Sequence, residues 1–357
     1  MQDRLQQRLG EFFGANYLFP VGSGTVGLTH VLEASNVEDM HVLIPAFTCP
    51  NVAVSVWAAG GIPKVVDVSP TSLCLTPETV DGALGDDVAA IVAVDAFGCP
   101  APVEELSDLA NNSKCTVIDD ACQAYGGVSE GRKVGVRGDV GVVSFGYSKP
   151  VSVNAGGLLM TNSASMAGRL KQTVDSFSSS WGAGLRNSLA LHLIKRDSPR
   201  WHYRIGIMLG LFNYAFPPGK LDVLEDRWDT FQNNLPQTKR SLGELRRLLS
   251  RLQCVDRVIP QSEQDWLPWR MSLYVDTPAH RDRLRESFAE LGVGTSTLYR
   301  PITDFSWTLK QHSYLSTAHD LYRHVLNVHH GSTDQAVRET IKALRPVCGS
   351  RSPQNSI

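Results

Sequence analysis

Lys149 closes the segment Ser144-Phe-Gly-Tyr-Ser-Lys149, and upstream Asp120-Ala-Cys-Gln123 offers a carboxylate and a side-chain amide. An amine of this kind can attack an aldehyde carbon and afterwards carry a proton. A carboxylate can keep a ring nitrogen protonated, and an amide can hydrogen-bond a phenolic oxygen. A third segment, Gly22-Ser-Gly-Thr25, opens a helix by its spacing. A helix start is a natural phosphate site, because its N–H groups point outward and its dipole favours anions. Lysine, aspartate and a phosphate cradle are what pyridoxal 5′-phosphate (PLP) requires. That cofactor is an electron sink, and the protein supplies orientation and charge around it.

In this reading Lys149 is the nucleophile and proton shuttle, and Asp120 pairs with the pyridine nitrogen. Gln123 donates to the phenolic oxygen, while Ser144 and Thr25 donate to the phosphate. Each residue alone has a plainer reading. Lysine is ordinarily a solvated surface charge, Asp120 could be a helix cap, Gln123 a turn residue, and the hydroxyls capping groups. Their order along the chain argues for the site. Lys149 also follows an apolar strand and precedes Asn154-Ala-Gly156-Gly157, a loop able to approach a ligand closely.

These residues need a frame, and the pattern from residue 25 to about 160 predicts one. Val42-Leu-Ile-Pro45, Lys64-Val-Val-Asp67, Ala89–Val94, Cys115–Ile118 and Gly141–Ser144 read as buried strands. Thr25–Ala34, Asn51–Ala59 and Pro102–Asn111 read as helices between them. Such alternation predicts a mainly parallel α/β sheet covered on both faces. Ligands gather at the carboxyl ends of such strands, where Asp120 and the turn after Ser144 fall.

Residues 163–225 are divergent. They hold a Ser-rich loop at 176–180, the basic and aromatic Arg200-Trp-His-Tyr-Arg204, an apolar run from Ile205 to Phe216, and a turn at Phe216-Pro-Pro-Gly219. Arg227–Leu252 reads as a long helix broken at or near Pro236, with Leu242, Leu245, Leu248 and Leu249 on one face. Leu273–Val275, a helix His280–Leu291 and Ser296–Arg300 predict a smaller α+β domain. The expected division is a large domain over 1–235, a small one over 236–347, and a disordered polar tail at 348–357.

A chain of 357 residues with 42% hydrophobic and 20% charged content has the composition of a globular protein. Its net charge of −2 gives no electrostatic reason to expect nucleic acid or an anionic membrane as partner. The apolar run is too short to span a bilayer. Seven scattered cysteines without metal-ligand spacing, and a polar start of mixed charge, lead us to expect a reduced cytoplasmic protein without a metal site.

Val21-Gly-Ser-Gly-Thr25, Ile44-Pro-Ala-Phe-Thr48, Gly61–Asp67, Phe97-Gly-Cys-Pro100, Ile118-Asp-Asp-Ala-Cys-Gln123 and Ser144-Phe-x-x-x-Lys149 together resemble the DegT/DnrJ/EryC1/StrS sugar aminotransferases. The likeness is dense from about residue 10 to 160. It is looser through Phe231-Gln232 and His280–Arg285 to Arg345. It implies an aspartate-aminotransferase-like fold (PLP fold type I) and a homodimer with active sites at the subunit interface. It also implies a nucleotide-linked keto-sugar as amino acceptor and glutamate as donor. By the same resemblance Gly24, Thr25 and Val26 belong to the phosphate site, and Cys49 stands where the family tends to stack an aromatic residue on the pyridine ring. Asn154-Ala155 replaces the Gly-Glu usual after the lysine. The asparagine that reaches the partner's phosphate has no clean match, Asn213 and the Glu225 position being alternatives.

Two other functions compete with an aminotransferase. A PLP lyase of the cysteine-desulfurase kind needs a reactive thiolate on a mobile loop, and only Cys254 and Cys348 lie in the C-terminal part. A catalytically degenerate PLP-fold accessory protein would accommodate the changes at 49 and 154–155.

Overall fold

The computed structural model describes residues 3–111, 113, 115–177, 215–259, 266–304 and 315–349. Residues 178–180 of the Ser-rich loop, Arg200–Arg204, the apolar run up to Tyr214 with Asn213, and the tail beyond Gly349 lie outside the described residues.

Nine strands precede the divergent region: β1 (Tyr17–Val21), β2 (His41–Pro45), β3 (Ile62–Val66), β4 (Val88–Val94), β5 (Thr116–Asp120), the hairpin β6 (Val128–Ser129) and β7 (Arg132–Lys133), β8 (Val140–Ser144) and β9 (Gly157–Thr161). Seven of them form one sheet in the order β1-β9-β8-β5-β4-β2-β3. The run from β8 to β3 is parallel, and β9 pairs antiparallel with both β8 and β1. The fold is the expected mainly parallel α/β type.

Side chains alternate across this sheet and bury both faces. Val142 and Leu159 pack on one side with the helix Gly24–Ala34, while Val143, Leu158 and Met160 pack on the other with the helices Asp3–Phe13 and Leu221–Leu249. The sequence reading missed β1 and β9. Pro20 argues against a strand, but β1 lies on the sheet edge, where a missing N–H costs no ladder bond.

A second, antiparallel sheet follows, in the order β10 (Val255–Ile259), β11 (Met271–Val275), β13 (Val325–Val328), β12 (Thr295–Ser296). Helices Pro278–Glu290, Ser316–His324 and Asp334–Gly349 accompany it. The expected break at Pro236 is absent, because Leu221–Leu249 is one continuous helix through that proline. Trp228, Phe231, Leu242, Leu245 and Leu249 on this helix are buried, so tertiary packing outweighs the local cost of the proline.

Asp67, just past β3, links the two parts of the chain. Its Oδ2 and Oδ1 accept the N–H groups of Thr317 and Ala318, both at 2.9 Å, at the start of the helix Ser316–His324. Among the described residues no helix is long and apolar enough to cross a membrane.

Candidate active site

Parallel pairing of β5 with β8 sets Asp120 opposite Val142, two residues before Ser144. The two predicted segments therefore emerge side by side at the carboxyl end of the sheet. Asp120 is buried, and its Oδ1 accepts the Cys122 N–H at 3.1 Å. Burial pushes its carboxyl above the usual range, against the pull of the Cys122 hydrogen bond and the Lys149 charge. Gln123 is buried, and its Oε1 accepts the Phe97 N–H at 3.0 Å. Because an N–H must meet the oxygen, this bond leaves the Gln123 amide nitrogen to donate elsewhere.

Ser144 Oγ accepts the Gly146 N–H at 3.2 Å and keeps its own proton to donate. Tyr125 holds the loop beyond it. Its buried Oη lies 3.1 Å from Ser144 O and 3.0 Å from Val151 O, and accepts the Val151 N–H at 2.9 Å. Lys149 sits between those anchor points, with Nζ over the Trp269 ring at 4.7 Å from its centre.

The helix Gly24–Ala34 starts against the same groups. Ser23 caps it by accepting the Val26 N–H at 3.2 Å. A Cβ on Gly24 would stand 2.9 Å from Ser144 Cβ and 3.0 Å from Cys122 Sγ, so glycine is required for the helix to come this close. Thr25 Oγ1 accepts from Asn51 Nδ2 at 3.1 Å, leaving its proton free to point elsewhere. Val26 is placed differently from the other two: its N–H serves the cap and its side chain is buried. Cys49 is half-buried and packs at the margin of the core. Glu225, the alternative to Asn213, is an ion-pair partner of Arg8 at 3.4 Å.

The structure adds residues that the sequence reading did not name. Phe97 has a left-handed backbone (φ 54°) fixed from three directions: its N–H by Gln123, and its carbonyl by the N–H groups of Trp269 at 2.9 Å and Arg270 at 3.2 Å. Gly98 beside it (φ 97°) lets the chain at Pro268 approach, since a Cβ there would stand 2.4 Å from Pro268 Cα. The ring of Trp269 stacks on Phe97 at 6.1 Å between centroids and 5° between planes, and its Nε1–H donates to Ser148 O. Trp269 and Arg270 are thus carried to Lys149 from a distant part of the chain. Only the Phe97-Gly98 pair in the sequence hinted at an unusual turn there.

Beneath the site lies a fully buried ion cluster. The Arg137 guanidinium meets Asp119 at 2.7 Å and Asp95 at 2.8 Å. Burial drives Asp95 well above the ordinary range, aided by the Asp119 charge and opposed by Arg137. Burial acts on Asp119 too, but Arg137 and the N–H groups of Gly135 and Arg137 win and hold it low.

The residues present fit PLP. Asp120 is a buried carboxylate with no cation at ion-pair distance among the described residues, as a site for a protonated ring nitrogen needs. Gln123, Ser144 and Thr25 each keep a proton to donate, and Gly24 leaves room at a helix start. Among the described residues no cluster of three or more His, Cys, Asp or Glu is placed to hold a metal ion. Burial raises Cys254 and takes Cys348 up to about 11, opposite to what a reactive thiolate requires.

Comparison with known proteins gives relatives in sequence and in fold. The sequence profile of the DegT/DnrJ/EryC1/StrS aminotransferase family matches residues 1–345. The L-glutamine:2-deoxy-scyllo-inosose aminotransferase of Streptoalloteichus tenebrarius is 32% identical over 169 residues, which cover 47% of this chain and 40% of that protein. The match thus spans less than half the length of such relatives. Two solved structures share the fold. DesI, determined with its TDP-sugar product, has a TM-score of 0.77 at 22% identity, covering 97% of this chain and 84% of that one. The Bacillus subtilis protein NtdA, determined with bound cofactor PMP, has a TM-score of 0.68 at 18% identity, covering 98% and 77%.

Proposed function

This chain belongs to the DegT/DnrJ/EryC1/StrS aminotransferase family, and from that premise we propose that it moves an amino group from an amino acid to a cyclic keto-sugar or sugar-like ketone, using PLP. The observation that carries the proposal is the convergence of Lys149, Asp120, Gln123 and Ser144 at the ends of two adjacent parallel strands.

PLP, when bound, supplies the electron sink that makes the amino acid's α-hydrogen acidic. The protein does the rest. Asp120 holds a proton at the ring nitrogen. Gln123 donates to the phenolic oxygen, while Ser144, Thr25 and the helix start hold the phosphate. Lys149 Nζ would take the α-proton and return it one position along. Trp269 lays its ring against the Lys149 amine.

A cavity of about 330 Å³ opens beside Lys149, lined by Ser148, Trp269, Arg270, His329 and His330 among others. Glutamate is the first donor to test, with glutamine beside it. We further infer a homodimer, with the partner completing the phosphate site, and a cytoplasmic setting in which the seven free thiols persist.

The test is borohydride reduction of PLP-loaded protein followed by peptide mapping. The pyridoxyl group is expected on Lys149. Label on another lysine, or no uptake of the cofactor, overturns the reading. Absorbance then reports whether glutamate or glutamine discharges the lysine-linked cofactor. If cysteine alone reacts and yields sulfide, the lyase alternative replaces it.

A further inference from the structure

Arg270 stands just before β11, half-buried, and lines the same cavity as Lys149. Its guanidinium lies over the Trp269 ring at 4.2 Å from the centre, and Nη1 donates to Trp269 O at 3.1 Å. No carboxylate lies at ion-pair distance from it among the described residues, and no Asp or Glu lines the cavity. Burial, with the Arg270 charge, lowers His329 and His330 to about 4, so both imidazoles are neutral at pH 7. The basic groups facing the space are therefore Lys149 and Arg270. Burial also pulls Arg270 itself down to about 10.

A cation withdrawn from water without a counter-ion costs free energy, and that cost is relieved when an anion enters. The guanidinium has N–H groups left over after its one hydrogen bond, in the planar fork that suits a carboxylate. Its backbone position is fixed by the bond from its N–H to Phe97 O. Lys149 and Arg270 sit on the same indole ring, at 4.7 and 4.2 Å from its centre. Both also border one cavity, and an amino acid carries a carboxylate and an amine on a single carbon.

We propose that Arg270 binds the carboxylate of the amino-acid donor and so presents the donor's amine to Lys149. The proposal rests on the aminotransferase reading above. It is tested with Arg270→Gln and Arg270→Lys in the PLP-loaded protein, following by absorbance the half-reaction with L-glutamate and L-glutamine. Arg270→Gln should raise the donor concentration for half-maximal rate by about a hundredfold, with Arg270→Lys recovering part of it. The saturating rate should change far less.

The second readout needs no chemistry. Calorimetry should detect glutarate binding to the cofactor-free wild type and lose it in Arg270→Gln, with circular dichroism confirming that the variant is folded. Unchanged donor dependence, or equal glutarate binding by wild type and variant, overturns the proposal. A variant that weakens only the ketone acceptor overturns it too, by giving Arg270 to an acceptor phosphate. If the wild type takes an amino group from no amino acid, the aminotransferase reading falls, while glutarate binding still decides on Arg270.

Discussion

Arg137 and Arg270 are arginines withdrawn from water within one chain, and their surroundings are opposite. Arg137 is enclosed by two carboxylates and donates to Ala101 O at 2.8 Å as well. Every charge there has its partner. Arg270 has an indole face, one carbonyl and an open cavity. The same contrast separates neighbouring residues on β5. Asp119 accepts four hydrogen bonds from Arg137 and Gly135, whereas Asp120, next along, accepts one from Cys122. A saturated cluster holds the sheet together, and an unsaturated one has hydrogen-bonding capacity left for the cofactor proposed above. Burial alone does not tell the two apart, but the count of partners does.

The largest expected effect breaks the saturated side. Arg137→Met leaves buried acids facing each other and should cost about 3–5 kcal/mol in urea unfolding. A loss below about 1 kcal/mol would mean that the cluster is not the brace described here. On the open side, Asp120→Ala should slow the amino-acid half-reaction more than about a hundredfold, or roughly 2.7 kcal/mol of barrier. A rate within a few-fold of wild type would make Asp120 a structural cap only.

Within the cluster, Asp119→Asn should destabilise more than Asp95→Asn, by about 1–2 kcal/mol, since Asp119 is the held-low acid with more donors. Equal losses would show the two acids sharing Arg137 evenly. The pH dependence sharpens the β5 pair. Asp119, depressed in the fold, contributes stability that is lost as pH falls below the ordinary carboxylate value near about 4. Asp120, raised in the fold, does the reverse: in cofactor-free protein its burial costs stability as pH climbs from about 4 upward. Cofactor-free Asp120→Asn should then exceed wild type in stability at pH 7, by a margin that closes at acid pH. The smallest effect concerns Arg270→Gln, whose melting temperature should equal or exceed that of wild type, because no ion pair is lost. A marked fall would give Arg270 a bracing role like that of Arg137.

Much of the open site was legible because its parts are short segments on adjacent parallel strands. Buried β-branched runs announced β4, β5 and β8, so the residues at their ends, Asp120 and Ser144, could be placed together. Lys149 followed from the turn after β8. Trp269 and Arg270 were not legible, since nothing in the order of residues says that Pro268 packs on Gly98. That contact is tertiary, made possible by a left-handed Phe97-Gly98 turn that leaves no periodic trace. Arg137 was missed for a related reason: a charged residue in a glycine-rich stretch reads as solvated until the sheet closes around it. The unbroken helix at Pro236 shows packing overriding a local breaker, and β1 shows an edge tolerating one.

Asp67 has a kinetic consequence. The helix Ser316–His324 begins after Leu315, which provides no side-chain cap, and its first N–H groups are met by a carboxylate 250 residues earlier. A folding chain cannot make that contact until a loop of that length has closed, an event whose entropic cost and slowness set non-local folds apart from local ones. The bond therefore forms late and rewards only chains in which the rim of the first sheet and the C-terminal half have already met. An incomplete chain, still emerging from the ribosome, leaves that helix start exposed.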